Sequence, residues 1–249
     1  MSSKILEYTR VRPLSVSDSY KMFKYFFTRK RTMREDDENY VRVKYNGMVW
    51  NLRYSMLDYD LGILLGTHEY SVLRWINFKD LKTFVDAGAY IGTYTLRAGK
   101  AGAYVYSFEP NPFSYRLLKK NVTDNNLTER VQLYNMALFD KSAEMNFSVS
   151  SVGSSLFGSN GTLIKVKTIT LDSLEISNVD LLKIDVEDAE INVIRGATKT
   201  LENTREILIE VRKQRINLIE GILKEKGFKE LKRTDTSPTT TYILYNKVK

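Results

Sequence analysis

Hydrophobic positions keep one rhythm up to about residue 80 and another beyond it. From residue 83 onward, short and nearly continuous apolar runs alternate with stretches spaced for helices, which is the pattern of buried parallel strands joined by crossover helices. The runs are Thr83-Phe84-Val85, Ala103-Tyr104-Val105-Tyr106-Ser107-Phe108, Val131-Gln132-Leu133-Tyr134-Asn135-Met136, Val179-Asp180-Leu181-Leu182-Lys183-Ile184 and Glu206-Ile207-Leu208-Ile209. Two further strands are expected at residues 144–148 and 162–168. Helices are expected over 111–125, from beyond Asp185 to Leu201, and over about 216–226, the last closed by Gly227. Residues 228–233 and 241–245 are too close together for a crossover helix, so they form an antiparallel hairpin. The expected fold is α/β, a seven-stranded, mostly parallel sheet ending in a C-terminal antiparallel hairpin.

The first 80 residues read as an N-terminal α+β appendage to a domain over residues 81–249. Ser15 or Ser17 can cap a helix through Lys30 whose aromatic residues occupy more than one side. Basic residues gather there (Lys21, Lys24, Arg29, Lys30, Arg31, Arg34), and the acidic run Glu35-Asp36-Asp37-Glu38 follows. A hairpin is expected around Asn46-Gly47 and a short helix over residues 69–78. The appendage serves either as packed structure with solvated charges or as a lid or arm that steers an anionic substrate.

Chemistry concentrates after the first apolar run. The turn Asp86-Ala87-Gly88-Ala89-Tyr90-Ile91-Gly92 lets backbone approach a ligand closely at its glycines. Their spacing is not that of a dinucleotide fingerprint, which counts against a nicotinamide dehydrogenase. Glu109 ends the next strand, where a carboxylate can accept from both ribose hydroxyls. A nucleoside without a pyrophosphate is implied, and S-adenosylmethionine fits. Asp86, Glu109 and Asp185 all end strands, with Glu187 just beyond, so they should line one crevice. The small-residue segment 150–161 is the candidate active-site loop.

Composition narrows the choice. The chain has 249 residues, no cysteine and a single histidine, His68, so thiolate metal sites, disulfides and cysteine nucleophiles are excluded. Asp185, Glu187, Asp188 and Glu190 diverge around a helix start, so no metal site is assigned, and His68 is read as a packed or hydrogen-bonded ring. A net charge of +8 suits an anionic partner such as RNA or an acidic glycan. No signal sequence or membrane span is recognisable, which points to the cytoplasm, and the usage of Lys, Glu and Ile leans towards a thermophile.

The ordered motifs resemble those of the FkbM family of S-adenosylmethionine-dependent methyltransferases, over roughly residues 60–247. They are Val85-Asp86-Ala87-Gly88-Ala89-Tyr90-Ile91-Gly92, Phe108-Glu109-Pro110-Asn111-Pro112, Asn121, Ala137-Leu138-Phe139-Asp140, Thr168-Ile169-Thr170-Leu171-Asp172-Ser173-Leu174, Leu182-Lys183-Ile184-Asp185-Val186-Glu187-Asp188-Ala189-Glu190, Gly196-Ala197 and Ile209-Glu210-Val211. The resemblance implies a Rossmann-like class I methyltransferase fold. It also implies that Gly88 and Ala89 pass the methionine end of the cofactor, that Glu109 holds the ribose, and that Glu69 lies nearby. Ala137 and Leu138 would flank the adenine, and Asp86, Tyr90, Gly92, Pro110, Asn111 and Asp185 complete the cofactor set. Two positions depart from the family pattern: Tyr90 replaces the usual Asn, and Asp188 the usual Gly. Asp185 or Glu187 would act as general base or position the acceptor. The implied activity is O-methylation of a sugar, glycan or small-metabolite hydroxyl. The alternatives are an RNA methyltransferase that uses the basic N-terminal segment, or an inactive cofactor-binding module.

Overall fold

A computed structural model describes residues 10–28, 34, 36–67, 69–149, 154–157 and 161–248. The chain runs β1 (Arg12–Pro13), α1 (Val16–Thr28), β2 (Tyr40–Tyr45), β3 (Met48–Arg53), α2 (Leu57–Leu65), α3 (Tyr70–Leu73), β4 (Thr83–Ala87), α4 (Thr93–Ala101), β5 (Tyr104–Phe108), α5 (Pro112–Asp124), β6 (Val131–Tyr134), β7 (Met136–Leu138), β8 (Ala143–Val149), β9 (Thr162–Ile169), β10 (Val179–Ile184), α6 (Glu190–Arg195), β11 (Thr204–Arg212), α7 (Ile216–Glu225), β12 (Phe228–Asp235) and β13 (Thr240–Lys247).

The main sheet has seven strands in the order β12-β13-β11-β10-β4-β5-β6. Strands β11, β10, β4, β5 and β6 are parallel, and β13 runs antiparallel to both its neighbours. The period of two divides the central strands between two cores. Phe84, Leu181 and Leu208 face one cluster, with Leu96 of α4 and Leu117 and Leu118 of α5. Val85, Leu182, Ile184 and Ile207 face the other, with Val193 and Ile194 of α6 and Ile219 and Leu223 of α7. The first cluster also takes in Val41, Val43, Trp50, Leu52, Leu61 and Leu64, so the N-terminal segment is packed into the same core.

Strands β1, β2 and β3 form a separate small sheet with β3 at its edge. That edge is met by asparagine side chains of α5 and its C-cap. Asn121 accepts from Asn51 N at 2.7 Å and donates to Ile91 O at 2.9 Å, and Asn125 accepts from Val49 N at 2.9 Å and donates to Val49 O at 2.6 Å. Side-chain amides thus satisfy backbone groups that a neighbouring strand would otherwise pair.

Several elements differ from the sequence expectation. The run expected over 131–136 breaks at Asn135, whose amide donates to Glu109 O (2.8 Å) and Pro110 O (3.1 Å), and Met136–Leu138 joins β8 and β9 in a third sheet. The helix expected to reach Leu201 stops at Arg195. A Cβ on Gly196 would lie 2.0 Å from Phe139 O, so the backbone that leaves β7 crowds this point, and Asp172 caps the next turn by accepting from Lys199 N and Thr200 N. Residues 69–78 hold only the single turn α3 before a second short turn at Phe78–Asp80, and α2 was not anticipated. His68, the basic residues 29–31 and positions 150–153 and 158–160 of the small-residue loop lie outside the described residues.

Candidate functional site

The chain order reverses between β4 and β10, and open parallel sheets bind ligands beyond the carboxyl ends of their strands at such a point. A cleft of about 300 Å³ lies there. Its wall includes Glu69, Gly88, Ala89, Tyr90, Glu109, Pro110, Asn111, Ala137, Leu138, Asp185 and Glu187, all singled out from the sequence. Asp86 and Gly92 do not line it. Asp86 is fully buried beneath the turn, accepting from Thr95 Oγ1 at 2.6 Å, and Gly92 sits behind it at the start of α4, where a Cβ would strike Leu96 and Leu118.

Gly88 is fixed by close approach. Its φ is +81°, and a Cβ would fall 1.7 Å from Asp185 O, so any side chain would collide with the backbone leaving β10. Glu109 secures the other side of the turn by accepting from Tyr90 N and Asn111 N, each at 2.8 Å. Asn111 caps α5 by accepting from Phe113 N.

Three non-glycine residues around the cleft hold left-handed backbone: Tyr90 (φ 51°), Glu187 (φ 48°) and Asp188 (φ 79°). Asn and Gly tolerate that region best, so both family departures fall where the replaced residue would have been less strained. Other contacts hold these residues in place. The Tyr90 hydroxyl donates to Asp60 at 2.7 Å and accepts from Arg53, whose guanidinium also lies 4.9 Å from the ring. Arg53 and Asp60 form a buried pair at 2.8 Å. Asp188 pairs with Arg212 at 2.7 Å, and its carbonyl accepts from Arg215 at 2.7 Å. The Glu187 carbonyl accepts from Ser155 Oγ at 2.7 Å, so the described part of the small-residue loop touches the site, where Ser154 and Leu156 join the wall.

Carboxyl groups outnumber cations on this wall. Lys183 Nζ lies 3.0 Å from Asp185, 3.6 Å from Asp86 and 3.2 Å from Gly88 O. Burial alone would lower its pKa, but Asp185, Asp86 and Glu69 outweigh this and raise it. Asp185, despite its own burial, is held below the usual carboxylate range by Lys183, with Tyr242 donating to it at 2.9 Å. The remaining acids go the other way. Burial and then the Asp185 charge push Glu187 up to about 7 and Glu210 up to about 10. The same two causes raise Glu69, which accepts from Tyr94 at 2.7 Å. The wall therefore holds more carboxyl groups than its one lysine keeps ionised, and a cationic ligand would favour their ionised forms.

Lys183, Tyr94, Glu210, Tyr59 and Tyr242 were not anticipated as site residues. Lys183 carried a signal, being an ionisable residue amid the apolar residues of a central strand. Glu210 carried another, since it follows an apolar run as Asp86, Glu109 and Asp185 do. The two distal tyrosines, Tyr59 and Tyr242, carried none. Among the described residues no cluster of histidine and acidic groups has metal-binding geometry, and no helix is long and apolar enough to cross a membrane.

A Rossmann-like sheet with its cleft at the switch point, a glycine turn and an acid ending the second strand is the arrangement of class I methyltransferases. The family described as the methyltransferase FkbM domain matches residues 86–230, and this chain belongs to it. The chain is 28% identical over 133 residues to the hexuronic acid methyltransferase AglP of Haloferax volcanii, covering 51% of this chain and 54% of that protein. It is 30% identical over 105 residues to a tRNA (guanine(37)-N(1))-methyltransferase of Ajellomyces capsulatus, covering 42% of this chain and 19% of that one. The matches thus span about half of the first relative's length and a fifth of the second's. The FkbM methyltransferase of Methylobacillus flagellatus shares the fold with a TM-score of 0.51 at 19% identity, over 76% of this chain and 53% of that one. The tRNA m1G37 methyltransferase of M. jannaschii does so with a TM-score of 0.51 at 14% identity, over 84% and 54%.

Proposed function

We propose that this protein is an S-adenosylmethionine-dependent O-methyltransferase acting on a hydroxyl of a sugar or glycan. The observation that carries the reading is a wall of carboxyl groups with a single lysine among them, beside a turn that admits no side chain at Gly88. Glu109 would hold the ribose, Ala137 and Leu138 would flank the adenine, and Glu69 and Glu210 would face the methionine amine. When bound, the cofactor supplies an electrophilic methyl group on a positively charged sulfur.

Glu187 is the better base of the two carboxylates proposed from the sequence. Asp185 is committed to Lys183 and Tyr242 and is a weak proton acceptor, whereas Glu187 titrates near neutrality. Positioning of the acceptor oxygen in line with the methyl group supplies most of the remaining acceleration. The likeness to a hexuronic acid methyltransferase supports an acidic sugar as acceptor. Within such a sugar, a carboxylate aimed at the methyl group would meet the ionised Asp185, and Glu187 once it has lost its proton, so we favour a hydroxyl.

Calorimetry with S-adenosylmethionine tests the cofactor: micromolar binding is expected, lost in Glu109→Ala, with none for NAD. Labelled methyl transfer to uronic acids and neutral sugars then tests the acceptor. A methyl ether survives mild base and a methyl ester does not, so a base-labile product would refute the hydroxyl reading. Cofactor affinity without turnover on any acceptor would indicate an inactive module. The partial likeness to tRNA methyltransferases supports RNA as a second reading, which requires methylation of tRNA and a steep salt dependence of binding.

A further inference from the structure

Helix α2 reaches the cleft through one of its faces. Leu57, Leu61, Leu64 and Leu65 are buried in the core shared with the N-terminal sheet. Two acids of its first turn are anchored. Asp58 accepts from the Tyr25 hydroxyl at 2.5 Å, and Asp60 accepts from Arg53 N at 2.8 Å as well as from the Arg53 guanidinium and the Tyr90 hydroxyl. Tyr59 stands between them, and Ile63 lies one turn further along the same side of the helix. Both line the cleft. The backbone that carries Tyr59 is thus fixed on either side by contacts within the chain.

Tyr59, Tyr90 and Tyr94 all belong to the cleft wall. Tyr90 donates to Asp60 and Tyr94 to Glu69, each at 2.7 Å, whereas the Tyr59 hydroxyl has no hydrogen-bond partner among the described residues. Tyr59 is also only half-buried. Its ring is perpendicular to that of Tyr90, with planes at 87° and centroids 5.9 Å apart, a contact that occupies at most one of its two faces. Burial, and then the charges of Asp185, Asp60 and Glu187, push its pKa up to about 12. The hydroxyl therefore keeps its proton at neutral pH and is not itself the base.

In the proposed reaction the cofactor lies along Gly88, Glu109, Ala137 and Leu138, and the acceptor oxygen has to meet Glu187. Tyr59 shares the cleft with Glu187 but comes from outside the strand ends that hold the cofactor. We propose, resting on the sugar methyltransferase reading, that Tyr59 binds the acceptor: its ring carries the C–H face of the sugar, and its hydroxyl bonds to one of the sugar's hydroxyls. A sugar ring presents apolar C–H groups on its faces and hydroxyls around its edge, and a tyrosine meets both at once. Ile63 and Leu156 extend the apolar part of the same wall. The N-terminal segment is then part of the acceptor site and not only a cover for the core.

The test is steady-state methyl transfer by the full chain to methyl glycosides of uronic acids and neutral hexoses, with calorimetry of S-adenosylmethionine alongside. Tyr59→Phe keeps the ring, and should raise the KM of whichever glycoside the parent methylates by roughly two- to tenfold, the worth of about one hydrogen bond. Tyr59→Ala removes the ring as well and should raise it at least about tenfold. In both variants kcat and the Kd of the cofactor should stay close to those of the parent. Tyr59→Phe removes no bond within the described protein, so its melting temperature should match that of the parent, and it decides the matter if Tyr59→Ala fails to fold. An acceptor KM unchanged in Tyr59→Phe overturns the proposal and leaves the sugar reading standing. A cofactor Kd that rises in its place also overturns it, and assigns the hydroxyl to S-adenosylmethionine. A parent that methylates no glycoside, or tRNA alone, overturns both readings together.

Discussion

Tyr90 sits in the glycine turn, yet its hydroxyl belongs to a cluster built by the N-terminal segment. Tyr90→Phe keeps the ring and the amide that binds Glu109, but leaves the buried Arg53 and Asp60 pair one partner short. A loss of ~1–3 kcal/mol in unfolding free energy is expected, together with a raised KM for the cofactor at nearly constant kcat, read from denaturant melts and steady-state kinetics. Glu187 makes a different prediction. A base that titrates near 7 must lose its proton to act, so kcat/KM should rise with pH through about 7. Glu187→Gln should abolish that limb and lower kcat by roughly 10²–10⁴-fold. At this scale the sequence was legible where a residue type answered a backbone demand. Gly88 and Glu109 stood out because a tight turn and a strand-end acid leave a local mark. Tyr94 and Tyr242 left none, because their reach to Glu69 and Asp185 depends on how separate elements pack.

Strands were more legible than helices, because a buried parallel strand needs only a short apolar run, whereas helix limits depend on what the helix meets. Residues 190–195 stop being helical where Gly196 presses on Phe139, and no property of the helix itself announces this. Helix α2 was hidden by its even spread of apolar residues and by Gly62 within it. Asn121 was legible as a motif position but not in its purpose, which is to join the edge of β3 to the glycine turn. Asn121→Ala would strand Asn51 N and Ile91 O away from water, so a loss of ~2–4 kcal/mol is expected, about one to two buried polar groups. A smaller loss in denaturant unfolding would mean that water replaces the amide. Because Ile91 belongs to the turn, the same variant should weaken cofactor binding even though Asn121 does not line the cleft.

The seven-stranded order was readable in outline, since alternating runs and helices admit few topologies, but the charge state of the assembled cleft arises only when four strand ends converge. Glu210 shows this best. Its pKa is about 10 in the folded chain against an ordinary value of 4.5, so its contribution to stability is full below about 4.5 and is lost progressively as pH rises towards 10. Glu210→Gln should therefore raise the melting temperature of the ligand-free protein at pH 8 while weakening its hold on a cationic ligand. Binding of S-adenosylmethionine near pH 8 should also release protons from this wall, seen as a binding enthalpy that varies with the ionisation enthalpy of the buffer. A buffer-independent enthalpy would show that the acids are already ionised. The position of β13 carries a consequence for how the protein is made. Strand β13 lies between β11 and β12 and brings Tyr242 to Asp185, although it follows every other strand in the chain. A nascent chain emerging from the ribosome can assemble the glycine turn and the strands around it, but Tyr242 can reach Asp185 only once residue 242 has cleared the exit tunnel. The hydrogen bond that helps hold Asp185 is thereby deferred until β13 has been made and inserted between β11 and β12.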